Sequence, residues 1–263
     1  MGKKRLALGH FAIRLGRFIQ SLAIVPMSPN DLVEFSRRSY SQAQRIEDWG
    51  RDALMADGLY PGEEAMLSRI PQRSGPLLLL GGGGGRDAIG LARHGFTVTA
   101  VDFVPELLEC AKKNATRHGL SIQVLTQEIS LLDTPVAAYD IVWFSQRLYS
   151  TVPTKQRRIT LLQRVGRALS PGGLAVCQFH WDINANRSPQ KMRTLRRLVR
   201  MTFGLHQIEP GDQLWQQREY LHAFHDEELL KAEFAAGGFE ILHLEFFPAY
   251  MSGSAILRKR NTV

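Results

Sequence analysis

"LLLLGGGGGRDAIGLARHGFTVTAVD", Leu77 to Asp102, sets five consecutive glycines between a run of leucines and an amphipathic segment. Leu77 to Leu80 is short and continuously apolar, the pattern of a strand buried on both faces of a parallel sheet. Between Arg86 and His94, the residues Ala88, Ile89, Leu91 and Ala92 recur at helical spacing. "FTVTAVD" reads as a second strand ending on an acid, Asp102. "PELLECAKKNATRHG" then reads as a helix with Pro105 at its start and Gly119 just past its end. Strand, glycine turn, helix, strand, acid, helix is the first unit of a doubly wound nucleotide-binding sheet. Glycines let the chain turn tightly and let a ligand approach the backbone. The helix start points amides at that ligand, and an acid at the tip of the second strand can accept hydrogen bonds from ribose hydroxyls. Which nucleotide stays open at this point, because Gly83-x-Gly85-x-x-Ala88 also matches the dinucleotide fingerprint of nicotinamide and flavin enzymes.

Further along, "SIQVLTQEISLLD" reads as a third strand with Glu128 in the polar turn after it. "YDIVWFSQRLYSTVP" is a fourth strand with a polar stretch at its carboxyl end. "TKQRRITLLQRVGRALSPGGLAVCQFHWD" is a helix, a Pro-Gly-Gly turn and a fifth strand. "HDEELLKAEFAAGGFEILHLEFF" is a capped helix, a glycine stop and a sixth strand, and "GSAILRKR" returns as a seventh, forming an antiparallel hairpin at the sheet edge.

In this order and spacing, "GGGGGRDAIGLARHGFTVTAVD", "YDIVW", "RALSPGG" and "HDEELLKAEFAAGGFEIL" resemble the class I S-adenosylmethionine-dependent methyltransferases, over about Leu77 to Arg258. The resemblance implies an α/β fold: a doubly wound, seven-stranded, mostly parallel sheet with N-terminal helices and a helical cap insertion. It implies S-adenosyl-L-methionine as cofactor, lying across the strand tips. Gly81, Gly83 and Gly85 match the cofactor loop. Asp102, with Phe103 beside it, matches the ribose acid. Glu128 and Ile129 fall near the adenine, and Ser145 and Gln146 near the methionine part. One position departs from the pattern: the acid that usually stands two residues before the first glycine is Leu79 here. Asp87, just inside the helix, is the candidate replacement.

The 263 residues carry 33 basic and 25 acidic side chains, a formal charge of +8. Residues 1–20 and 187–200 hold two acid-free basic stripes, which spread charge would not produce. Two cysteines, Cys110 and Cys177, exclude a disulfide scaffold, read as small buried residues, and fit a reducing cytoplasm. Neither has ligands at metal spacing, so no metal is expected. No apolar run approaches the roughly 18 residues of a membrane span.

The expected organisation is a helical extension or lid over 1–70 and a methyltransferase domain over 71–263, with a cap insertion over 183–217. In the extension, Ser28-Pro29 and Pro61 with Glu63 and Glu64 open helices, and Tyr40 and Trp49 are candidate contacts for cofactor or substrate. "MGKKRLALGHFAIRLGRFIQSLAIVPM" reads either as a basic amphipathic helix for peripheral membrane contact through residues 1–25, as a targeting peptide, or as a helix packed on the body. In the insertion, Met192, Leu195, Leu198, Val199 and Phe203 fall near one helical face with basic residues mostly opposite.

Methyl transfer is a displacement in which an enzyme aligns the acceptor and excludes water. A neutral hydroxyl or amine acceptor must also lose a proton. His180, at the end of the fifth strand, is the first candidate base, with Tyr149 a second, and Tyr220 and His222 candidate substrate contacts. Three function classes remain open: methylation of a small, lipophilic or membrane-derived acceptor; a nucleic-acid methyltransferase, suggested by the charge; and a non-catalytic binding protein, suggested by Leu79. Against the second, "FSQRLYSTVP" stands where base-amino methyltransferases carry Asn/Asp-Pro-Pro-Tyr/Phe.

Overall fold

The four leucines lie at the centre of the fold. The computed structural model describes residues 2–56, 58–185, 190, 193–194, 197–198, 201 and 208–260. Within it, β1 (Gly75–Leu80) runs parallel to β2 (Phe96–Asp102) on one side and to β4 (Tyr139–Phe144) on the other. Successive strand side chains point to opposite faces. Accordingly Leu78 and Leu80 join the cluster holding Phe144, Tyr149, Phe179 and Phe234, while Leu77 and Leu79 join Ala88, Ile89, Val98 and Trp143. Both faces are covered, which is why this strand shows no polar alternation.

The sheet has seven strands in the order β3-β2-β1-β4-β5-β9-β8, with β3 at Gln123–Thr126, β5 at Leu169–His180, β8 at Phe239–Phe247 and β9 at Ser252–Lys259. β9 inserts between β5 and β8, antiparallel to both, so β8 is the edge strand of the closing hairpin. The helices α6 (Arg86–Arg93), α7 (Pro105–Arg117), α8 (Lys155–Ala168) and α9 (Glu227–Ala236) connect the strands. Pro-Gly-Gly at 171–173 falls inside the span of β5, beside a register irregularity against β4.

Ahead of the sheet come α1 (Gly2–Leu22), α2 (Pro29–Tyr40), α3 (Ala43–Gly50), α4 (Ala53–Ala56) and α5 (Pro61–Arg69). Ser28 Oγ accepts from the Asp31 amide at 3.2 Å and the Asp31 carboxylate accepts from the Ser28 amide at 2.8 Å, a capping box at the Ser-Pro start. The end of α3 is stapled to the glycine turn, because the Asn114 side-chain amide donates to the carbonyls of Gly50 (2.9 Å) and Gly84 (3.0 Å). A Cβ on Gly84 would stand 1.9 Å from the Trp49 carbonyl oxygen, a backbone atom with little room to yield. Gly84→Ala is therefore expected to cost about 1–3 kcal/mol as an overpacked contact, read as a lower denaturant midpoint at unchanged slope.

One region departs from the sequence expectation. The stretch β6 (Asp212–Trp215) and β7 (Glu219–His222) forms a separate antiparallel hairpin, so the end of the expected helical cap is β structure. Its turn has positive φ at both Gln216 (49°) and Gln217 (59°), the type I′ geometry. That geometry usually announces itself by Asn-Gly or Gly, and two glutamines conceal it. Arg193, Thr194, Arg197 and Leu198 have helical backbone. Met192, Leu195, Val199 and Phe203, and the basic Arg187, Lys191, Arg196 and Arg200, lie outside the described residues. Cys177 is buried, whereas Cys110 is only half-buried, beside Gly50.

Candidate cofactor and acceptor site

A cavity of about 430 Å³ opens where β1, β2 and β4 end, the carboxyl-end position that open α/β sheets use for ligands. The sheet supplies one part of its wall: Gly81 to Gly84, Asp102, Phe103, Glu128, Ile129, and Ser145 to Leu148. The rest comes from outside the sheet. The N-terminal helices contribute Tyr40, Arg45 and Trp49, and the hairpin contributes Trp215, Arg218 and Glu219.

Asp102 straps the glycine turn in place. Its Oδ2 accepts the Gly83 amide at 2.9 Å and its Oδ1 accepts the Val104 amide at 3.0 Å. Each oxygen keeps a further lone pair for a ligand hydroxyl. Burial raises the Asp102 pKa, and the surrounding amides oppose that rise. Gly83 has φ 47°, and a Cβ there would meet nothing within 4 Å; Gly81 has φ 81°, and a Cβ there would run into Ser145 Oγ at 2.3 Å. The turn is bare on its cavity side and tight elsewhere. Gly85 differs from the sequence expectation: it does not line the cavity. Its Cβ would strike Ala111 at 2.9 Å, so at φ 104° it is a packing glycine between α6 and α7. The mixture of carboxylates at Asp102 and Glu128 with apolar Phe103, Leu107 and Ile129 suits a ribose and a flat heteroaromatic base.

Leu79 is fully buried in the face covered by α6. A carboxylate nevertheless reaches the cavity nearby. Asp87 lines it, with its pKa raised to about 7 by burial and by the neighbouring Glu63 charge. Arg86 pairs with both Asp87 and Glu63, the latter at 2.7 and 2.9 Å, under the Tyr60 ring at 3.8 Å.

Of the candidate substrate contacts, Tyr40 lines the cavity. Its hydroxyl donates to Glu219 Oε2 at 2.7 Å, and its ring lies 6.4 Å from both Trp49 and Phe103. Glu219 is held above the ordinary glutamate pKa by burial, against the opposing Tyr40 hydrogen bond and Arg147 and Arg45 charges.

The structure places the other four candidates elsewhere. His180 is fully buried outside the lining, edge-on to Trp215 with ring centroids 5.0 Å apart. Both its ring nitrogens lack partners among the described residues, and burial, with Arg147 next, lowers its pKa to about 4. It is thus neutral near pH 7, behind an indole that itself faces the cavity. Tyr149 stacks on Phe224 and donates to Glu233 Oε1 at 2.6 Å; Arg158 binds the same carboxylate at 2.7 Å and Glu209 at 2.7 Å. Tyr220 donates to Asp212 at 2.6 Å, and His222 Nδ1 meets the same oxygen at 2.8 Å. These residues make one buried polar network that fixes the hairpin against α8 and α9, with its hydrogen bonds satisfied inside the protein. Glu209, Asp212 and His222 do stand close enough for a cation, but Arg158, Tyr220 and the Lys155 amide already engage the carboxylates.

Sequence reasoning missed Arg45, Arg147, Trp215, Arg218 and Glu219. Arg147 carried a weak signal, since it follows directly on the polar end of the fourth strand, and it adopts positive φ (58°) at the cavity.

Comparison with known proteins agrees with this architecture. Residues 77–173 match the model of a methyltransferase domain. A ubiquinone biosynthesis O-methyltransferase of Coxiella burnetii is 30% identical over 131 residues, 48% of this chain and 54% of that protein. An uncharacterised methyltransferase of Bacillus subtilis, YodH, is 30% identical over 124 residues, 45% of this chain and 51% of that protein. The chain thus spans about half the length of the curated relatives it matches. A Methanosarcina mazei S-adenosylmethionine-dependent methyltransferase superposes with TM-score 0.57 at 22% identity, covering 77% of this chain and 98% of that one. The CcbJ methyltransferase of Streptomyces caelestis gives TM-score 0.59 at 17% identity, covering 86% and 98%. Residues 77–173 thus resemble a methyltransferase domain, and the chain carries the fold of the class I S-adenosylmethionine-dependent methyltransferases.

Proposed function

We propose that this protein transfers a methyl group from S-adenosylmethionine to a small-molecule acceptor. The observation that carries the reading is the cavity itself, which joins a bare glycine turn strapped by Asp102 to a second wall outside the nucleotide-binding sheet. Asp102, Phe103, Glu128 and Ile129 would hold the adenosine, and Gly81, Gly83, Ser145 and Gln146 the methionine part. Bound there, the cofactor supplies an electrophilic methyl on a sulfonium. The chain's own residues do the rest. Tyr40, Trp49 and Trp215 exclude water from the cavity and orient the acceptor. Glu219 takes the proton of a hydroxyl acceptor, as the one carboxylate on the hairpin's part of the wall. Its raised pKa suits a base working near neutrality better than a fully solvated glutamate would. The base role moves here from His180, which an acceptor could reach only if Trp215 moved. Titration with S-adenosylhomocysteine tests the reading directly: micromolar binding supports it, and no binding removes it.

A second observation bears on where the acceptor is met. No helix among the described residues is long and apolar enough to cross a membrane. On α1, however, Leu8, Phe11, Leu15 and Ile19 share one side at i, i+3 and i+4 spacing and are each at least 45% exposed. The same helix carries Lys3, Lys4, Arg5, Arg14 and Arg17 and no acid. Its far end is rooted, since Leu22, Ile24 and Val25 pack with Tyr220 and Leu214 of the hairpin that walls the cavity. Such a helix suits the surface of an anionic bilayer. The full chain is expected to sediment with phosphatidylserine-containing vesicles and much less with neutral ones. Leu8→Asp together with Phe11→Asp should abolish sedimentation and leave cofactor binding intact.

A further inference from the structure

We propose that the acceptor is an anion, and that Arg45, Arg147 and Arg218 form a subsite for its carboxylate or phosphate; this rests on the methyl-transfer reading above. All three guanidinium-bearing residues line the cavity, and each comes from a different part of the chain: α3, the turn after β4, and the turn of the β6–β7 hairpin. The same cavity holds a fourth arginine, Arg86, which behaves as a structural cation does. It is closed between Glu63 and Asp87, nearly buried, with two acids to one base. The other three are unlike it. Among the described residues no carboxylate forms a salt bridge with Arg45, Arg147 or Arg218, and Glu219 is the one acid on their part of the wall. Glu219 already accepts the Tyr40 hydroxyl. The lining as a whole sets four arginines against four carboxylates, so the surplus is local: Arg45 and Arg147 are half-buried near Glu219, and Arg218 is exposed at the hairpin turn.

Arg147 is the best placed of the three. It sits at φ 58°, a left-handed conformation that non-glycine residues adopt at a cost and that clusters at ligand sites. One Nη2–H donates to the Tyr250 carbonyl at 3.0 Å, and the guanidinium lies 5.6 Å over the Trp215 ring. The side chain is therefore held while most of its five donors stay unused. A planar fork fixed against an indole matches a carboxylate or phosphate in two-point fashion, and Trp215 and Tyr40 offer rings for an aromatic body attached to that anion. A neutral acceptor would leave this excess charge uncompensated and would gain nothing from it.

The test measures binding to the full-length protein saturated with S-adenosylhomocysteine, by calorimetry, using three probes of one shape: benzoate, phenyl phosphate and the neutral benzamide. At least one anion should bind about tenfold or more tighter than benzamide, and which anion does so distinguishes carboxylate from phosphate. Arg147→Gln and Arg45→Gln should each erase most of that preference, while S-adenosylhomocysteine affinity stays within about twofold. Equal affinities for the three probes, no binding of either anion at millimolar concentration, or a preference that survives both substitutions would overturn the anion subsite. Loss of S-adenosylhomocysteine binding in the unsubstituted protein would instead overturn the methyl-transfer reading, so the two failures are separable.

Discussion

Asp102→Ala is expected to weaken S-adenosylhomocysteine binding by about 100-fold or more. A carboxylate that accepts hydrogen bonds from two ribose hydroxyls contributes about 1.5–3 kcal/mol per charged bond, and each 1.4 kcal/mol is a factor of ten in affinity. The substitution also frees the Gly83 and Val104 amides that Asp102 now holds at 2.9 and 3.0 Å. The glycine turn would then lose the strap that shapes it for a ligand. Asp102→Asn separates the two effects. It keeps one acceptor oxygen but lacks the charge, so it should fall between the wild type and alanine. Calorimetry reads the affinities, and thermal unfolding checks that both variants still fold. An alanine variant that binds within threefold of the wild type would show that the cofactor does not rest on this acid.

Glu219→Gln is expected to lower kcat by about 100-fold with little change in cofactor affinity, the usual scale for losing a positioned base. Glutamine keeps an oxygen for the Tyr40 hydroxyl, so the packing of the wall is preserved. The pH dependence carries the sign. A base works when deprotonated, so activity rises with pH through its pKa. Burial places that pKa above the ordinary glutamate value. The acid limb of kcat/KM should therefore lie above pH 4.5, and it should vanish in Glu219→Gln. Tyr40→Phe removes a hydrogen bond that favours the charged carboxylate. The same limb should then move to higher pH. A limb that persists in the glutamine variant would assign the proton to another group and return attention to His180 behind Trp215.

The half of the sheet built around the glycine turn is legible in its residues because each of its elements is locally determined. Four leucines in a row need cover on both faces, five glycines cannot sit inside a regular element, and an acid ending a strand after a helix lies across from that turn. Phe103, Glu128, Ile129, Ser145 and Gln146 are expected at the site from the resemblance to class I methyltransferases, and they line one cavity because the parallel strands all end on the same side of the sheet. Gly85, expected in the cofactor loop, lies off the cavity wall, and only the tertiary structure shows that the neighbour a Cβ there would meet is Ala111 of α7.

What the sequence could not settle is everything made by contacts between distant segments. His180 and Tyr149 have the right chemistry at the right strand ends, but burial depends on what packs over them, and that is Trp215 in one case and Glu233 with Phe224 in the other. Tyr40 and Glu219 are 179 residues apart and meet at 2.7 Å. Arg45, Arg147 and Arg218 are ordinary basic residues until α3, the turn after β4 and the hairpin converge on one cavity. Local pattern encodes strands, helices and turns, because those depend on neighbours along the chain. A charge or a base acquires its role from its dielectric surroundings and its partners, and here only the tertiary structure decided those.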